Sequence, residues 1–418
     1  MSEIIIQLKE YNNKEIIEIG GSKNSSLPII AGAILCDEIV YINNIPNISD
    51  VQNMLSILDH LKIKYHFHSN TLKIFPKKII NANLNTEKTK ELRGSYYYIG
   101  ALLSKKSKVK FYTIGGCKLG NRPINYHINA FKRMGFKIKT DESQNKIYGK
   151  IKSTVITLTQ TSLGTTINII LASVKNKKGT NITIKNASCE PEVVDLCNFL
   201  NSMGAKIKGE GTSTINIKSV KYLHTTNYKI ISDRIEAGTY LILGAIHNGI
   251  KLKNVNVKHL ESLIQKLEGI GCKIYEKDSI LYLETNKNKS LSINTNPYPG
   301  FPTDLAPQAS VLASQLNGFS TITENIYKDR FSHIDELKKL NIQIIENMST
   351  TYIQGKQDVI YNKKKLICKD LRQGAALILA ASLSKDPVTI SNIEFVERGY
   401  ENIYNKLKKL GFIISFIN

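Results

Sequence analysis

Two kinds of apolar pattern recur along the chain in a fixed order. Segments such as AGAILCDEIVYINNI, GALLSKKSKVKFYTI and LILGAIHNGIKLKNVNV pass from a run of small and aliphatic residues into an alternating, β-branched run. That predicts a buried helix followed by a strand. ILASVKNKKGTNITIKNA, VLASQLNGFSTITENI and LILAASLSKDPVTISNI repeat it. The second kind, as in INAFKRMGFKIKT, LCNFLNSMGAKIKG and IYNKLKKLGFIIS, spaces apolar residues three and four apart, halts at glycine and resumes as a strand. MLSILDHLKIKYHF, IQKLEGIGCKIYE and IDELKKLNIQIIE complete that series. Gly135, Gly204, Gly271 and Gly411, with Asn341 standing in once, close these helices at intervals of 67 to 70 residues. Each marks a C′ position where positive φ is needed.

Six units in 418 residues give about 70 residues each. Each reads as a βαβαββ element, too small to bury its own faces. The alanine- and glycine-rich helices suit packing inward in threes, which predicts an α/β protein of two three-unit domains with a cleft between them. A solenoid is the alternative, but it requires polar capping units at its ends, and the chain lacks them.

Charge changes this picture little. Lys and Arg number 57 against 35 acids, a net +22, which raises the question of a nucleic-acid partner. The lysines are dispersed among Asn and Ile, as in KNKKGTNITIKN, rather than interleaved with stacking aromatics. The excess reads as compositional drift. Six cysteines without a C-x-x-C pair suggest neither zinc nor a disulfide scaffold. The N-terminal stretch lacks the pattern of a signal peptide, and no apolar run approaches the ~20 residues of a membrane span. A reducing cytoplasm is the expected location.

The residues that interrupt the repeats are the candidates for chemistry. GGSKNSSLP places Lys23 and Asn24 at a helix start, an anion site or simply a glycine turn with an N-cap. ELRGSYYYIG contributes Arg93, and TSLGTTIN puts Ser162 and Gly164 at another helix start. GGCKLGNRPINYH sets Cys117 between glycines and Arg122, with His127 following. A guanidinium there would favour a thiolate or hold an anion. PGFPTD aims the Asp304 carboxylate from a stiff turn, and KDRFSH, KDLRQG and VERGYE add Arg330, Asp370 with Arg372, and Arg398. Taken singly, each arginine reads as a solvated or salt-bridged side chain. Taken together, the set fits substrates that carry phosphate and carboxylate groups.

These motifs, from GGSKNSSLPIIAGAIL through NASCEPEVVDLCNFLNSMGAKIKGEGT and SDRIEAGTYL to ERGYENI, resemble those of the enolpyruvyl transferase family. The closer likeness is to its UDP-N-acetylglucosamine 1-carboxyvinyltransferase branch. The resemblance runs end to end. The 5-enolpyruvylshikimate-3-phosphate synthase branch lacks the GGC and PGFPTD motifs and is the more distant alternative. The resemblance implies two inside-out α/β barrels, one over 22–230 and one combining 1–21 with 231–418, with the active site in the cleft between them. It implies transfer of enolpyruvate from phosphoenolpyruvate to the 3′-hydroxyl of UDP-N-acetylglucosamine, through a tetrahedral ketal, with release of phosphate. Neither metal nor organic cofactor, nucleic acid nor membrane is implied.

Roles carry over by motif. Lys23, Arg122 and Arg398 would hold phosphoenolpyruvate, and Asn24 would bind the sugar. Cys117 would donate a proton to the enol carbon and be the target of epoxide antibiotics such as fosfomycin. Asp304 would take or orient the hydroxyl proton. Arg93, Arg122, His127, Ser162 and Gly164 would line the UDP-sugar site, with Ile326, Arg330, Asp370 and Arg372 completing the substrate contacts. Gln160, Lys328 and Gln373 depart from the pattern, and the first two would weaken UDP binding and alter lobe closure. A degenerate, basic nucleic-acid-binding relative is the remaining alternative. A degenerate transferase would be expected to lack a catalytic group, and Lys23, Cys117, Arg122, Asp304 and Arg398 are all present.

Overall fold

A computed structural model describes residues 2–76, 82–112, 124–140, 144–176, 179–286, 289–327 and 330–417. The chain divides into two compact units, one drawn from residues 21–231 and the other from 2–20 with 232–417. In the first unit, three helices rich in small and aliphatic residues form the centre: α1 (Lys23–Ala33), α2 (Tyr97–Lys105) and α3 (Leu163–Ser173). In the second, α4 (Arg234–Ile246), α5 (Ala306–Ala313) and α6 (Leu371–Ala381) take the same place. Every residue of α6 is buried, as are nine of the eleven in α3. These helices are covered on all sides, which explains their lack of a charged face.

Around each triad the second repeat half builds an outer layer. In the third repeat, α3 leads into strand Asn181–Lys185, helix Pro191–Ser202 and the strands Lys206–Lys208 and Thr214–Lys218. Thr154–Thr157 pairs parallel with Asn181–Lys185, which pairs antiparallel with Thr214–Lys218. The strands alternate buried isoleucine with exposed polar residues, as in Ile215 and Ile217 against Asn216 and Lys218, so each sheet shows one face to solvent.

Strand pairing closes each set of three, which removes the solenoid alternative. Thr226–Lys229, at the end of the first unit, pairs parallel with Val40–Asn43 near its start. In the second unit the N-terminal strand Glu3–Leu8 lies between Val388–Ser391 and Phe412–Ile417, pairing Ile4 with both Ile390 and Phe416. Ile16–Glu18 joins the sheet of Ile250–Lys253.

Small residues in the central helices set how closely they approach. A Cβ on Gly100 of α2 would lie 2.6 Å from the Asn168 carbonyl oxygen of α3, so the two backbones are in direct contact there. Among the described residues, no helix is long and apolar enough to cross a membrane.

The helix-closing position has positive φ in all six repeats. The values are 97°, 95°, 108° and 95° at Gly135, Gly204, Gly271 and Gly411, 62° at Asn341 and 59° at Lys62. Lys62 is exposed and bears the left-handed conformation with a Cβ. Lys62→Gly is therefore expected to raise the unfolding free energy by about 1 kcal/mol in urea titrations, net of the added chain entropy. Gly411→Ala, whose Cβ would lie 1.9 Å from the Glu10 carbonyl oxygen, should cost more than ~2 kcal/mol. Equal stability of Lys62→Gly and wild type would show that the left-handed strain is relieved by other means.

Candidate functional site

In the first unit the candidate residues gather at helix starts. Ser22 caps α1, its side chain accepting from Ser25 N at 3.2 Å, while its own N–H donates to Ile231 O at 2.8 Å. This turn holds Lys23 as the first helical residue. Its ammonium pairs with Asp50 Oδ2 at 2.6 Å, and both side chains are largely buried. Asn24 follows, half-buried. Asp50, in the first turn of helix Ser49–His60, was not anticipated from sequence, where Ser-Asp at that point reads as an ordinary helix start.

His127 lies on helix Asn125–Arg133 and is held by Tyr96, just before α2, and by residues of α3. Its ring stacks on Tyr96 with centroids 5.7 Å apart, just before α2 and three residues after Arg93. Gly164, at the start of α3, leaves the ring room: a Cβ there would sit 3.3 Å from its Cε1. Ser162 caps α3, accepting from Thr165 N at 3.3 Å. Gln160 accepts from Tyr126 OH at 2.9 Å, so this departure is engaged with the same helix that bears His127.

The protonation of His127 follows from its neighbours. Burial, and secondarily the Arg93 charge, push its pKa down to about 3, so the ring is neutral near neutral pH. Asn168 Oδ1 accepts from the Gly100 backbone N–H at 3.0 Å, which fixes the amide orientation. Asn168 Nδ2 then faces His127 Nδ1 at 3.1 Å and must donate. The imidazole proton is consequently on Nε2. Asn168 was also missed from sequence, although a lone amide within an apolar helix requires partners.

The second unit places its candidates around one carboxylate. Asp304 lies in the 3-10 turn Thr303–Leu305 before α5. Its Oδ1 binds Arg330 Nη2, and its Oδ2 accepts from Arg372 Nη2 at 2.8 Å. Arg330 is buried and also donates through Nε to Thr303 O at 3.0 Å. Burial opposes the Arg372 charge, but Asp304, Tyr400 and Asp233 outweigh it and its pKa rises. Its Nη1 lies 3.4 Å from Tyr400 OH, which shares a 2.9 Å hydrogen bond with Thr239 Oγ1.

Glu324 ties the Asp304 turn to the Ile326 turn. One oxygen accepts from Ile326 N at 2.8 Å and Tyr327 N at 3.0 Å, and the other from Thr303 Oγ1 at 2.8 Å. Asp370 acts as the N-cap of α6, its Oδ1 accepting from Arg372 N at 2.8 Å and Gln373 N at 3.1 Å. The Gln373 departure is fully buried; its Oε1 accepts from Lys369 N at 2.7 Å and its Nε2 donates to Ser332 O at 3.2 Å. Arg398 ends the short helix Glu394–Glu397, two residues before Tyr400. Cys117, Arg122 and Lys328 lie outside the described residues.

His333, buried in the same unit, mirrors His127 with the opposite tautomer. Its Nδ1 lies 3.1 Å from the Arg330 carbonyl, which can only accept, so Nδ1 carries the proton. Burial pushes its pKa down to about 4. Between pH 6.5 and about 4 the unfolded chain binds protons that these two folded rings do not, so stability falls as pH drops through that window. Nitrogen-15 NMR should show one neutral Nε2–H ring and one neutral Nδ1–H ring, neither titrating above pH ~5. Asn168→Ala should shift only the His127 pattern toward Nδ1–H. Protonation of either ring near pH 6.5 would refute this assignment.

The enzyme-family model described as EPSP synthase (3-phosphoshikimate 1-carboxyvinyltransferase) matches residues 9–407. A UDP-N-acetylglucosamine 1-carboxyvinyltransferase from Halothermothrix orenii is 41% identical, over 94% of this chain and 95% of its own. One from Thermotoga maritima is 38% identical over 100% and 99%, and one from Staphylococcus haemolyticus 41% over 98% of each. Among solved structures, the enolpyruvyl transferase NikO from Streptomyces tendae matches with a TM-score of 0.89 at 20% identity, covering 99% of both chains. EPSP synthase from Acinetobacter baumannii matches with a TM-score of 0.75 at 17% identity, covering all of both.

Proposed function

The chain belongs to the EPSP synthase family, and from that premise we propose that it transfers the enolpyruvyl group of phosphoenolpyruvate to the 3′-hydroxyl of UDP-N-acetylglucosamine. The observation that carries the choice of substrate is the 38 to 41% identity, over nearly the full length, to relatives named for that reaction. The reaction would serve peptidoglycan precursor synthesis. The new C2–O3′ bond forms as a proton is added at C3, giving a ketal; loss of a C3 proton and cleavage of the C2–O phosphate bond then release phosphate.

The geometry of each unit suits part of this chemistry. Lys23 presents an ammonium at the start of a buried helix, where backbone N–H groups also favour an anion. In this reading Lys23, Arg122 and Arg398 hold the phosphate and carboxylate of phosphoenolpyruvate, and Asn24 the sugar. Asp304 is braced by two guanidinium groups while its side chain keeps 28% exposure, which suits a carboxylate that orients a hydroxyl and accepts its proton. Arg330 and Arg372 position that carboxylate, and Asp370 positions Arg372 by capping its helix. His127, neutral and protonated on Nε2, is a donor matched to a carbonyl or phosphate oxygen of the UDP-sugar, beside Arg93, Ser162 and Gly164. Ile326 packs against the sugar nucleotide, and Cys117 supplies the C3 proton.

The test is phosphate release from phosphoenolpyruvate, with the product identified by mass spectrometry. Release should require UDP-N-acetylglucosamine and should not occur with shikimate 3-phosphate. Asp304→Asn and Cys117→Ser should each lower kcat by about 100-fold or more with the fold intact. Turnover with shikimate 3-phosphate alone, or unchanged kcat in Asp304→Asn, would overturn the substrate or the residue assignment respectively.

A further inference from the structure

At the opposite end of the first unit's central helices lies a cavity of about 650 Å³ that contains none of the candidate site residues. Its volume is within the range of small-molecule pockets. Asp37 beyond α1, Lys105 and Lys106 at the end of α2, and Lys175 beyond α3 all line it. The three helices therefore direct their C-termini at one space. Lys150, Lys221 and Tyr222 also line it, along with the apolar side chains of Leu103, Phe136 and Ile151.

Helix C-termini account for part of the lysine cluster. Each carries about half a negative charge. Lys105 Nζ donates to Cys36 O at 3.2 Å, and Lys175 Nζ donates to Leu35 O at 3.1 Å while pairing with Asp37 at 2.5 Å. The charges still do not balance. Asp37 is the only acidic side chain on the wall among the described residues, against five lysines. After the helix ends are counted, the wall keeps a charge of about +2 to +3. Lys105 sits within this cluster, its pKa pulled down to about 8 by burial first and by repulsion from Lys175 second. The exposed ring of Tyr222, with Lys221 Nζ 5.0 Å from its centroid, adds a flat apolar surface beside the cations.

We propose that this cavity is a second ligand site, for a small molecule carrying two or more phosphate groups, distinct from the transferase site and independent of that reading. Ammonium groups on flexible stems suit clustered phosphate charge without imposing bidentate geometry. Bound phosphates supply the counter-charge that the wall lacks, and an attached ring system lies on Tyr222.

The experiment is isothermal titration of the full-length protein with inorganic tripolyphosphate at constant ionic strength, repeated with ADP. One saturable site of micromolar affinity is expected. Lys105→Gln/Lys150→Gln should weaken it about tenfold. Lys106→Gln/Lys221→Gln, which leaves the Lys105 bond to Cys36 O in place, gives a second reading should the first pair fail to fold. Lys185→Gln/Lys208→Gln removes equal charge from an exposed sheet face and should change affinity less than about twofold. Lys23→Gln should leave binding in place. Absence of saturable binding, equal weakening by the sheet-face pair, or loss in Lys23→Gln with retention in both cavity pairs would each overturn the proposal.

Discussion

Burial of six helices on every side is the constraint from which the rest of this structure follows. A helix with no solvent face cannot carry charge along its length, so its polarity is confined to its ends. Small residues bring backbones into contact, as Gly100 does against Asn168, and any polar group left inside must find a partner there. The amide of Asn168 does so by accepting from one helix and donating to His127, which converts a packing requirement into a fixed imidazole tautomer.

The helix ends divide the chemistry. At the starts, side chains satisfy the unpaired N–H groups: Ser22, Ser162, Asp233 and Asp370 cap α1, α3, α4 and α6. Lys23, Arg372 and Gly164 lie within two residues of those caps, so capping and the placement of these candidate residues are set by the same backbone. At the ends in the first unit, Lys105 and Lys175 donate to carbonyls of the turn that follows α1, Cys36 O and Leu35 O. Polar and charged groups are thus concentrated at two ends of an otherwise apolar core.

Much of this was readable from the chain. The period near 70, the closing glycines and the run of small-residue helices gave the six units, and even the stand-in Asn341 has the required positive φ. The PGFPTD and DLRQG motifs singled out Asp304 and Arg372 as candidates, and the two side chains meet at 2.8 Å. Asp50, Tyr400 and Glu324 escaped notice because an acid at a helix start, a tyrosine in a loop and a glutamate after a strand are ordinary surface residues when read locally. Their significance depends on partners 21 or more positions away in sequence.

By itself, then, the sequence determined the repeat, the burial pattern of each helix and strand, and the residue types available for anion chemistry. These depend on local periodicity and on the fixed φ preferences of single residues. Only the tertiary structure decided which repeat supplies which strand, that Glu3–Leu8 completes a sheet of the last repeat, that Asp370 is committed to a helix cap, and where the His127 proton resides. Those outcomes depend on pairings between distant segments, where hydrogen-bond geometry and shared burial, rather than local propensity, choose among partners that look equivalent along the chain.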